Sequence, residues 1–436
     1  MGYISIIADD LTGASDTGIQ FRKYGLKTKV IVDPDKLEQF FDNDEILAIN
    51  SNTRPLKSEK AYKRVYEITC KLKKAGFGLI YKKVDSTFRG NPGIELEAVM
   101  DALGSNLAIL VPSYPDNGRC MVNGHLKVTS VFNNGNNVEN IGLTDENEQG
   151  LCHVPTIIQK QMRRKVANID LKTVREGSSA ILDAVEELYK EGYQVLTIDA
   201  VTKDDLNNIA LACKLLPEAT VLAGAAGFAA YLPEVMGLSS NNLLKLPSKD
   251  GMILVVAGTC NPTTRRQIEE VLKNVNANLI KIDTDRIISG MAHEEVQNVA
   301  QKIQKHVETQ KMKTNPMIVA VDTLFKSTNE NEYPINKWGK AIASAIGEIV
   351  GMLVDNNIVQ CLVTTGGDTA LHVLNALKAR GIDLEEEILA GIPSGRLFGG
   401  KAHDIPIVTK AGGFGSPMAL LEVIEHLQNN IEAEEY

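Results

Sequence analysis

Charged side chains follow apolar, strand-like runs in the first half of the chain. Asp9 and Asp10 come directly after the run Tyr3–Ala8, and Arg54 lies in the segment SNTRP after another such run. An acidic pair in this position can bind a polyol hydroxyl, act as a base or coordinate Mg²⁺. The alternative is structural, because Asp10 can also cap a helix that begins there. These residue types indicate a site for a small polar molecule.

The densest polar cluster is the segment KKVDSTFRGN, which overlaps the end of the strand-like run Leu79–Val84. Its charged and hydroxyl side chains are Lys82, Lys83, Asp85, Ser86 and Arg89. Lysine, arginine and serine suit a carboxylate, which arginine can bind through two parallel hydrogen bonds. Asp85 is a candidate base for a substrate hydroxyl, and its structural alternative is an ion pair with Lys83 or Arg89. The cluster favours recognition of a small carboxylate.

The loops of the second half are rich in glycine and threonine instead. They are AGTCNPTT, TTGGDT and KAGGFGSP, and each stands between a strand-like run and a helical pattern. Glycines at such turns let backbone N–H groups approach an anion, and the helix N-terminus adds a favourable dipole. One such turn is ordinary connection chemistry. Three in one half predict a nucleotide or polyphosphate site.

One apparent phosphate-binding motif fails its context. The segment Gly395–Lys401 satisfies GxxxxGK, but Ala402 stands where a P-loop has Ser or Thr. The residues that follow, HDIPIVTK, have a strand pattern rather than a helical one. Lys401 is therefore not expected to be the lysine of a P-loop. No GxGxxG follows a strand-like run either, which disfavours a dinucleotide-binding enzyme.

Apolar strand-like runs alternate with amphipathic helical patterns along most of the chain. Helices are predicted at Ser58–Lys74, Pro92–Leu103 and Pro262–Lys273. This alternation predicts an α/β fold with mostly parallel sheets flanked by helices. Ligands of such sheets bind outside the carboxyl ends of the strands, where the charged and glycine-rich loops lie. The Asn- and Gly-rich stretch Asp116–Glu148 breaks the rhythm and is interpreted as an insertion or hairpin.

A polar segment divides the chain. Met236–Asp250 contains SSNN and Pro247, a composition that suits a linker. We therefore expect two α/β domains, at 1–240 and 250–436.

The composition excludes several classes of protein. The 436 residues carry a net charge of −9 with no Lys/Arg block, which disfavours nucleic-acid binding. The longest apolar runs are far below the ~20 residues that span a bilayer. The N-terminus lacks the basic region and cleavage site of a signal peptide. The six cysteines show no CxxC spacing, so neither a zinc site nor a disulfide framework is indicated. A reduced, cytoplasmic protein without membrane partners is expected.

Together these segments resemble the four-carbon acid sugar kinase family, which includes D-threonate, D-erythronate and 3-oxo-tetronate kinases. The matching segments run in order through nearly the whole chain: ADDLTGASDTG, KKVDSTFRGNPG, VPSYPDNGR, AGTCNPTTRRQ, TTGGDTA, GIPSGRLFGG and KAGGFGS. The resemblance implies an N-terminal domain that binds the acid sugar and a C-terminal domain that binds ATP, with the active site in the cleft between them. It also implies Mg²⁺ that bridges phosphate oxygens, for which no protein ligand is assigned.

The resemblance also carries residues over, position by position. Its substrate-binding positions match Asp10, Arg54, Lys83, Val84, Asp85 and Ser86, and the local cluster adds Arg89. Its ATP-binding positions match Thr259, Gly366, Gly367, Asp368, Thr369 and Gly412 or Gly413. AGTCN replaces a more familiar SGSCS-like loop, but threonine keeps the hydroxyl. SNTRP is an unusual variant around the arginine.

The implied reaction transfers the γ-phosphoryl group of ATP to the terminal hydroxyl of D-threonate or D-erythronate, with a 3-oxo-tetronate as the alternative. Asp85 or Asp10 is expected to accept the hydroxyl proton, while Arg54, Lys83 and Ser86 fix the substrate. Two other classes are a nicotinamide-dependent hydroxy-acid oxidoreductase, which predicts the missing GxGxxG, and a non-catalytic acid-sugar sensor, which would not need the glycine-rich loops. A homo-oligomer is compatible with the sequence.

Overall fold

The computed structural model describes residues 3–41, 46–129, 140–141, 153–240, 252–309, 315–326 and 335–432. The chain divides into two units, Met1–Leu243 and Leu244–Tyr436. This division falls inside the polar segment Met236–Asp250, of which residues 241–250 lie outside the described part of the chain.

Alternating strands and helices form the first unit. Its strands are β1 Tyr3–Ala8, β2 Thr28–Ile31, β3 Ile46–Asn50, β4 Phe77–Lys83, β5 Ala108–Val111, β6 Arg119–Val122, β7 His125–Thr129, β8 Asn140–Ile141, β9 Val166–Ile169, β10 Val195–Ile198 and β11 Val221–Gly224. Its helices are α1 Leu11–Arg22, α2 Ser58–Lys74, α3 Pro92–Leu103, α4 Val154–Gln161, α5 Leu171–Arg175, α6 Ser178–Lys190, α7 Lys203–Lys214, α8 Ala226–Ala229 and α9 Leu232–Val235.

Eight of these strands form a parallel sheet in the order β2-β3-β1-β4-β11-β5-β10-β9. Every residue of β3 is buried, as a strand covered on both faces requires. Helix α2 buries Ala61, Val65, Ile68 and Leu72, which recur at three- and four-residue spacing and so share one face. The apolar stripes of such helices cover the sheet and form the core of the unit.

A small antiparallel sheet, β6-β7-β8, departs from the parallel pattern. It lies within the segment Asp116–Glu148 that the sequence marks as an insertion or hairpin, and the described part of that segment confirms the prediction. Residues 130–139 and 142–148 lie outside the described part.

The second unit repeats the alternation. Its strands are β12 Met252–Ala257, β13 Asn278–Ile282, β14 Met317–Val321, β15 Val359–Thr365, β16 Gly381–Leu389, β17 Ile392–Phe398 and β18 Pro406–Lys410. Its helices are α10 Pro262–Asn274, α11 Thr284–Ile288, α12 Ala292–Thr309, α13 Ile335–Asp355, α14 Gly367–Ala376 and α15 Ala419–Glu432. The strand order is β13-β14-β12-β15-β18-β17-β16, with β17 antiparallel to both of its neighbours and the other pairs parallel.

The α/β class with mostly parallel sheets flanked by helices is confirmed. The hairpin of β16 and β17 was not predicted; β16 contains three consecutive glutamates, at 385–387, and glutamate is uncommon in strands. In the structure Glu385 pairs with the buried Arg396, with Nε to Oε1 at 3.1 Å, and Glu386 contacts His426 at 2.8 Å. These partners let acidic residues sit in a strand. No helix in the described part of the chain is long and apolar enough to cross a membrane.

Candidate active site

Three neighbouring strands of the first unit deliver the charged residues to one place. Asp9 and Asp10 follow β1, Arg54 lies four residues beyond the end of β3, and Asp85 lies two residues beyond β4. Because β1 lies between β3 and β4 in a parallel sheet, their carboxyl ends meet at the same edge. The sequence-predicted residues of this half are therefore brought together by the strand order.

Arg54 is the centre of this cluster. Its Nε donates to Asp9 Oδ2 at 2.7 Å, its Nη1 to Asp10 Oδ2 at 2.7 Å, and its Nη2 lies 3.0 Å from Asp85 Oδ1. Burial works against the charge of Arg54, but the three carboxylates outweigh burial and raise its pKa well above the usual value. One guanidinium thus neutralises carboxylates from two loops and fixes their positions.

Asp10 has two roles in the structure. It is the N-cap of α1, because its Oδ1 accepts from the Gly13 N–H at 2.8 Å, and its Oδ2 accepts from the Thr12 hydroxyl at 2.8 Å. This cap starts the helix at Leu11. Burial alone would raise the pKa of Asp10, but Arg54 and Lys83 lower it below its usual 3.8. Asp10 is therefore an ionised carboxylate at the site.

Asp85 is more completely paired. Its Oδ2 accepts from the backbone N–H and hydroxyl of Thr87 and from the backbone N–H and Nε of Arg89, while its Oδ1 accepts from Arg89 Nη2. Arg54 Nη2 adds a sixth donor. Burial opposes ionisation, but Arg54 and Arg89 hold the pKa of Asp85 far below its usual value. The structure thus shows the ion pair with Arg89 that was the structural alternative for Asp85.

The two consecutive lysines at the end of β4 have different surroundings. Lys82 is fully buried and its Nζ lies 2.8 Å from Glu95 Oε2, inside the unit. The Nζ of Lys83 donates to the Val84 carbonyl oxygen at 2.8 Å. A Cβ at Gly13 would lie 3.3 Å from Lys83 Nζ and 2.7 Å from Asp10 Oδ1, so only glycine lets α1 begin this close to the charged groups.

The remaining predicted substrate residues surround these groups. Val84 is buried and its backbone N–H donates to Gly224 O at 3.0 Å. Ser86 is half-buried next to Asp85. Arg89 keeps 66% of its side chain exposed while it pairs with Asp85, so its guanidinium still faces solvent.

Asp9, which the sequence offered only as one of an acidic pair with Asp10, and Arg119 also lie at this cluster. Asp9 is buried beneath Arg54. Arg119 is the first residue of β6, at the end of the segment VPSYPDNGR. It donates from Nη1 to the Asn117 carbonyl oxygen and interacts electrostatically with Asp85 and Arg89. Burial lowers the pKa of Arg119. Its position after a central strand was the available signal, but a single arginine in a loop gave no reason to prefer function over structure.

The three glycine-rich loops of the second unit also converge. They follow β12, β15 and β18, which are adjacent in the sheet. The Thr264 hydroxyl donates to Gly412 O at 2.9 Å and lies 3.2 Å from the Thr365 hydroxyl, so all three loops are joined at this point. Thr259 Oγ1 accepts from the Asn261 N–H at 3.1 Å.

Glycine is required where these loops touch. A Cβ at Gly258 would lie 2.4 Å from Thr369 Oγ1, and one at Gly412 would lie 3.0 Å from Thr259 Oγ1. Gly366 has φ +102°, a conformation that other residues rarely adopt, and it is the N-cap of α14. Gly367, Asp368 and Thr369 then form the first turn of α14, whose N–H groups have no partner within the helix. This arrangement suits a phosphate.

Lys401, which the sequence excludes as a P-loop lysine, contacts α13. Its Nζ donates to Gly351 O at 3.0 Å and pairs with Asp355 at 2.6 Å. It therefore ties the segment after β17 to α13.

One acidic cluster in the described part of the chain has oxygens close enough to share a metal ion. Asp283, Asp285 and Asp322 follow β13 and β14 and offer carboxylate oxygens within 4.8 Å of one another. Lys326 Nζ already lies 2.6 Å from Asp322 and 3.3 Å from Asp285. The lysine gives this cluster a structural counter-ion.

The comparisons with known proteins cover both units. Residues 4–232 match the family model of a sugar-binding N-terminal domain, and residues 254–420 match that of a nucleotide-binding C-terminal domain. A D-threonate kinase of Salmonella typhimurium is 30% identical over 97% of this chain and 98% of the relative. A D-erythronate kinase of Heliobacterium modesticaldum is 30% identical over 100% and 99%. A 3-oxo-tetronate kinase of Burkholderia multivorans is 26% identical over 95% and 94%.

Solved structures match the fold at lower identity. A Salmonella typhimurium protein described as a putative tRNA synthase superposes with a TM-score of 0.76 at 23% identity, covering 97% of this chain and 98% of that one. A Haemophilus influenzae protein superposes with a TM-score of 0.68 at 22% identity, covering 98% and 99%.

A sugar-binding domain followed by a nucleotide-binding domain, in full-length relatives that are kinases, defines a phosphotransferase. The chain belongs to the four-carbon acid sugar kinase family, as its motifs implied.

Proposed function

We propose that this protein transfers the γ-phosphoryl group of ATP to the terminal (4-) hydroxyl of a four-carbon acid sugar, with D-threonate or D-erythronate as the substrate. One observation carries the proposal: charged loops after β1, β3 and β4 converge on Arg54, whereas glycine-rich loops after β12, β15 and β18 converge on Thr264. The first set suits an anionic polyol and the second suits phosphates. The names of the full-length relatives support the same pairing.

The substrate carboxylate is assigned to Arg89 and Lys83. Arg54 is engaged by three carboxylates, so its main role is to hold Asp10 and Asp85 in place. Arg89 is the more exposed guanidinium and can bind a carboxylate through two N–H groups. Lys83 and the Ser86 hydroxyl, from the same segment of the chain, are the further donors assigned to the substrate carboxylate. The main chain of Val84 is paired with Gly224 and Lys83, so Val84 holds this segment in place.

Asp10 is the better acceptor for the substrate hydroxyl. Its Oδ1 accepts from one donor, the Gly13 N–H, and so retains capacity for a second hydrogen bond. Asp85 already accepts from six donors, which leaves it to position Arg54 and Arg89. The lowered pKa of Asp10 makes it a weak base. A weak base is adequate, since phosphoryl transfer depends mainly on positioning and charge stabilisation.

The ATP phosphates are assigned to backbone N–H groups. Those of Gly367, Asp368 and Thr369 belong to the first turn of α14, and those of Gly412 and Gly413 belong to the loop after β18. The Gly366 turn leads into these N–H groups, and the Thr259 hydroxyl lies beside Gly412. A helix N-terminus of this kind favours a negatively charged ligand.

The oxygen donors at this turn fit Mg²⁺. Mg²⁺ takes one or two carboxylates and completes its shell with phosphate oxygens and water. Asp368 is exposed in the first turn of α14 and is the carboxylate that would hold the ion, with the Thr259 hydroxyl as a further oxygen. Bound there, Mg²⁺ would neutralise charge on the phosphate oxygens.

A substrate panel tests this proposal. The protein is incubated with ATP, Mg²⁺ and, separately, D-threonate, D-erythronate or a 3-oxo-tetronate, and ADP release is measured. ADP release with a four-carbon acid above the acid-free rate is expected. Binding of the acid without ADP release would indicate a sensor, and acid-dependent reduction of a nicotinamide cofactor would indicate an oxidoreductase. Preference for the 3-oxo acid would correct the substrate but keep the kinase.

A further inference from the structure

Lys410 is a buried lysine at the end of β18. Its side chain is 1% exposed, and its Nζ donates to the main-chain oxygens of Ala411 at 3.0 Å and Phe414 at 3.2 Å. No carboxylate in the described part of the chain pairs with it. Burying an ammonium group is costly unless it is hydrogen-bonded, so this arrangement calls for a role that an apolar side chain could not fill.

Gln267 on α10 approaches the same loop from another element. It is fully buried, and its Nε2 donates to Phe414 O at 3.0 Å and to Ser416 O at 2.8 Å. Two carbonyl acceptors fix which end of the amide is the nitrogen, although this leaves Gln267 Oε1 buried without a hydrogen-bond partner in the described part of the chain. Lys410 and Gln267 therefore meet on one carbonyl oxygen.

The direction of these bonds determines what the loop presents. In a planar trans peptide the C=O of one residue and the N–H of the next point in opposite directions. Holding Ala411 O toward Lys410 turns the Gly412 N–H away from it, and holding Phe414 O turns the Gly415 N–H away. The Thr264 hydroxyl donates to Gly412 O at 2.9 Å, and this bond turns the Gly413 N–H away from Thr264.

We propose that Lys410 and Gln267 are positioning residues that hold the loop 411–416 with its glycine N–H groups directed toward the ATP phosphates. The inference rests on the proposed function, because it assigns the loop to ATP. Three glycines in six residues would otherwise leave this loop many conformations to lose on binding. The buried donors select one conformation before the nucleotide arrives, and such preorganisation strengthens binding.

The protonation of Lys410 makes the conformation of the loop 411–416 depend on pH. Burial lowers its pKa to about 7, and no charged side chain in the described part of the chain contributes to that shift. The neighbours of Nζ are the two carbonyl oxygens, and α10 presents the neutral amide of Gln267. A charged donor makes the stronger hydrogen bond. The loop is therefore held best below pH 7 and less firmly above it.

The test compares Lys410→Met and Gln267→Met with the control Lys401→Met. Lys401 also donates to a main-chain oxygen, but it lies outside the loop 411–416. The dissociation constant of ATP, the KM for the acid sugar and the unfolding temperature are measured at pH 6 and pH 8.5. At pH 6 we expect ATP binding to weaken about tenfold in K410M, the size of one strong hydrogen bond, and severalfold in Q267M. The KM for the acid sugar should stay within about twofold.

At pH 8.5 the ATP affinities of K410M and wild type should be closer to each other than at pH 6. The ATP affinity of K401M should match that of wild type at both pH values. ATP affinity unchanged in both loop variants, or an equal loss for ATP and acid sugar, would overturn the inference. If K410M does not fold, the inference is tested with Q267M and with the pH dependence of ATP binding by wild type. Unchanged ATP affinity in Q267M would overturn the inference. Wild-type ATP affinity that does not fall above pH 7 would overturn it as well. Wild type that binds no ATP would instead refute the proposed function.

Discussion

Arg54 and Asp9 form a bidentate ion pair, with Nε to Oδ2 at 2.7 Å and Nη2 to Oδ1 at 3.1 Å. Asp9 is 3% exposed, so the pair lies at the base of the site rather than on its surface. The same guanidinium reaches Asp10 Oδ2 at 2.7 Å and Asp85 Oδ1 at 3.0 Å. Arg54 therefore sets the distance between the two carboxylates that are candidates for the hydroxyl contact.

Removing the central cation should disable the acid-sugar half of the site. In Arg54→Met, three carboxylates lose their shared partner, and breaking a buried pair costs about 3–5 kcal/mol. We expect kcat/KM for the acid sugar to fall at least ~100-fold, with a lower unfolding temperature and nearly unchanged ATP affinity. Arg163→Met is the matched control, because Arg163 is 80% exposed and its partners Glu97 and Asp101 both keep Arg164. Wild-type kcat/KM in a folded R54M would contradict the role of Arg54.

The two carboxylates should separate kinetically. Asp10→Asn removes the proposed hydroxyl acceptor, so kcat should fall about 100-fold while the KM for the acid sugar changes little. Asp85→Asn releases Arg89 from its pair, so the KM for the acid sugar should rise with kcat within about tenfold of wild type. Steady-state kinetics at saturating ATP measure both. The reverse pattern, a larger kcat loss in D85N, would make Asp85 the acceptor.

Asp85 should also make stability depend on acid pH. Its pKa in the folded protein is held below the 3.8 of an unfolded chain, so its ionised form stabilises the protein above that value. This stabilisation is lost as the pH falls through the lower, folded-state pKa. The gap in unfolding temperature between wild type and Asp85→Asn should be constant from pH 7 to about 5 and narrow below about 4. A gap that widens in acid would contradict the assignment.

The nucleotide loops should be sensitive to one added methyl group. In Gly258→Ala the new Cβ would lie 2.4 Å from Thr369 Oγ1, so the loop after β12 or the first turn of α14 must shift. We expect the KM for ATP to rise about tenfold, with the KM for the acid sugar little changed. Gly339→Ala on α13 is the control, since nothing lies within 4 Å of its added Cβ. An equal KM for ATP in the two variants would show that the loop after β12 does not take part in nucleotide binding.

The sequence predicted the elements that have a strong period or a clear boundary. Ser58–Lys74 and Pro92–Leu103 end where the structure ends them, because one has a regular apolar stripe and the other has Pro and Gly at its ends. Short, half-exposed strands such as Val166–Ile169 were missed. Their four residues are too few for a period, and pairing with β10 stabilises them.

For the candidate site, residue types and strand ends predicted Asp10, Arg54 and the segment around Asp85, and the structure brings these residues together. Residue types and strand ends did not show which carboxylate is fully paired. That depends on the conformation of the Arg89 side chain, which pairs with Asp85, four residues earlier in the chain. Lys410 was hidden for a similar reason. A lysine that ends a strand looks exposed in the sequence, and only the loop that covers it shows that it is buried.

The most direct test of the account is the product of the complete reaction. The protein is incubated with ATP, Mg²⁺ and D-threonate or D-erythronate, and the products are examined by phosphorus NMR and mass spectrometry alongside ADP release. We expect one acid-sugar monophosphate, esterified at the terminal hydroxyl, formed in equal amount to ADP and lost in R54M. ADP formed at the same rate without the acid, or no phosphorylated acid from any four-carbon substrate, would contradict it.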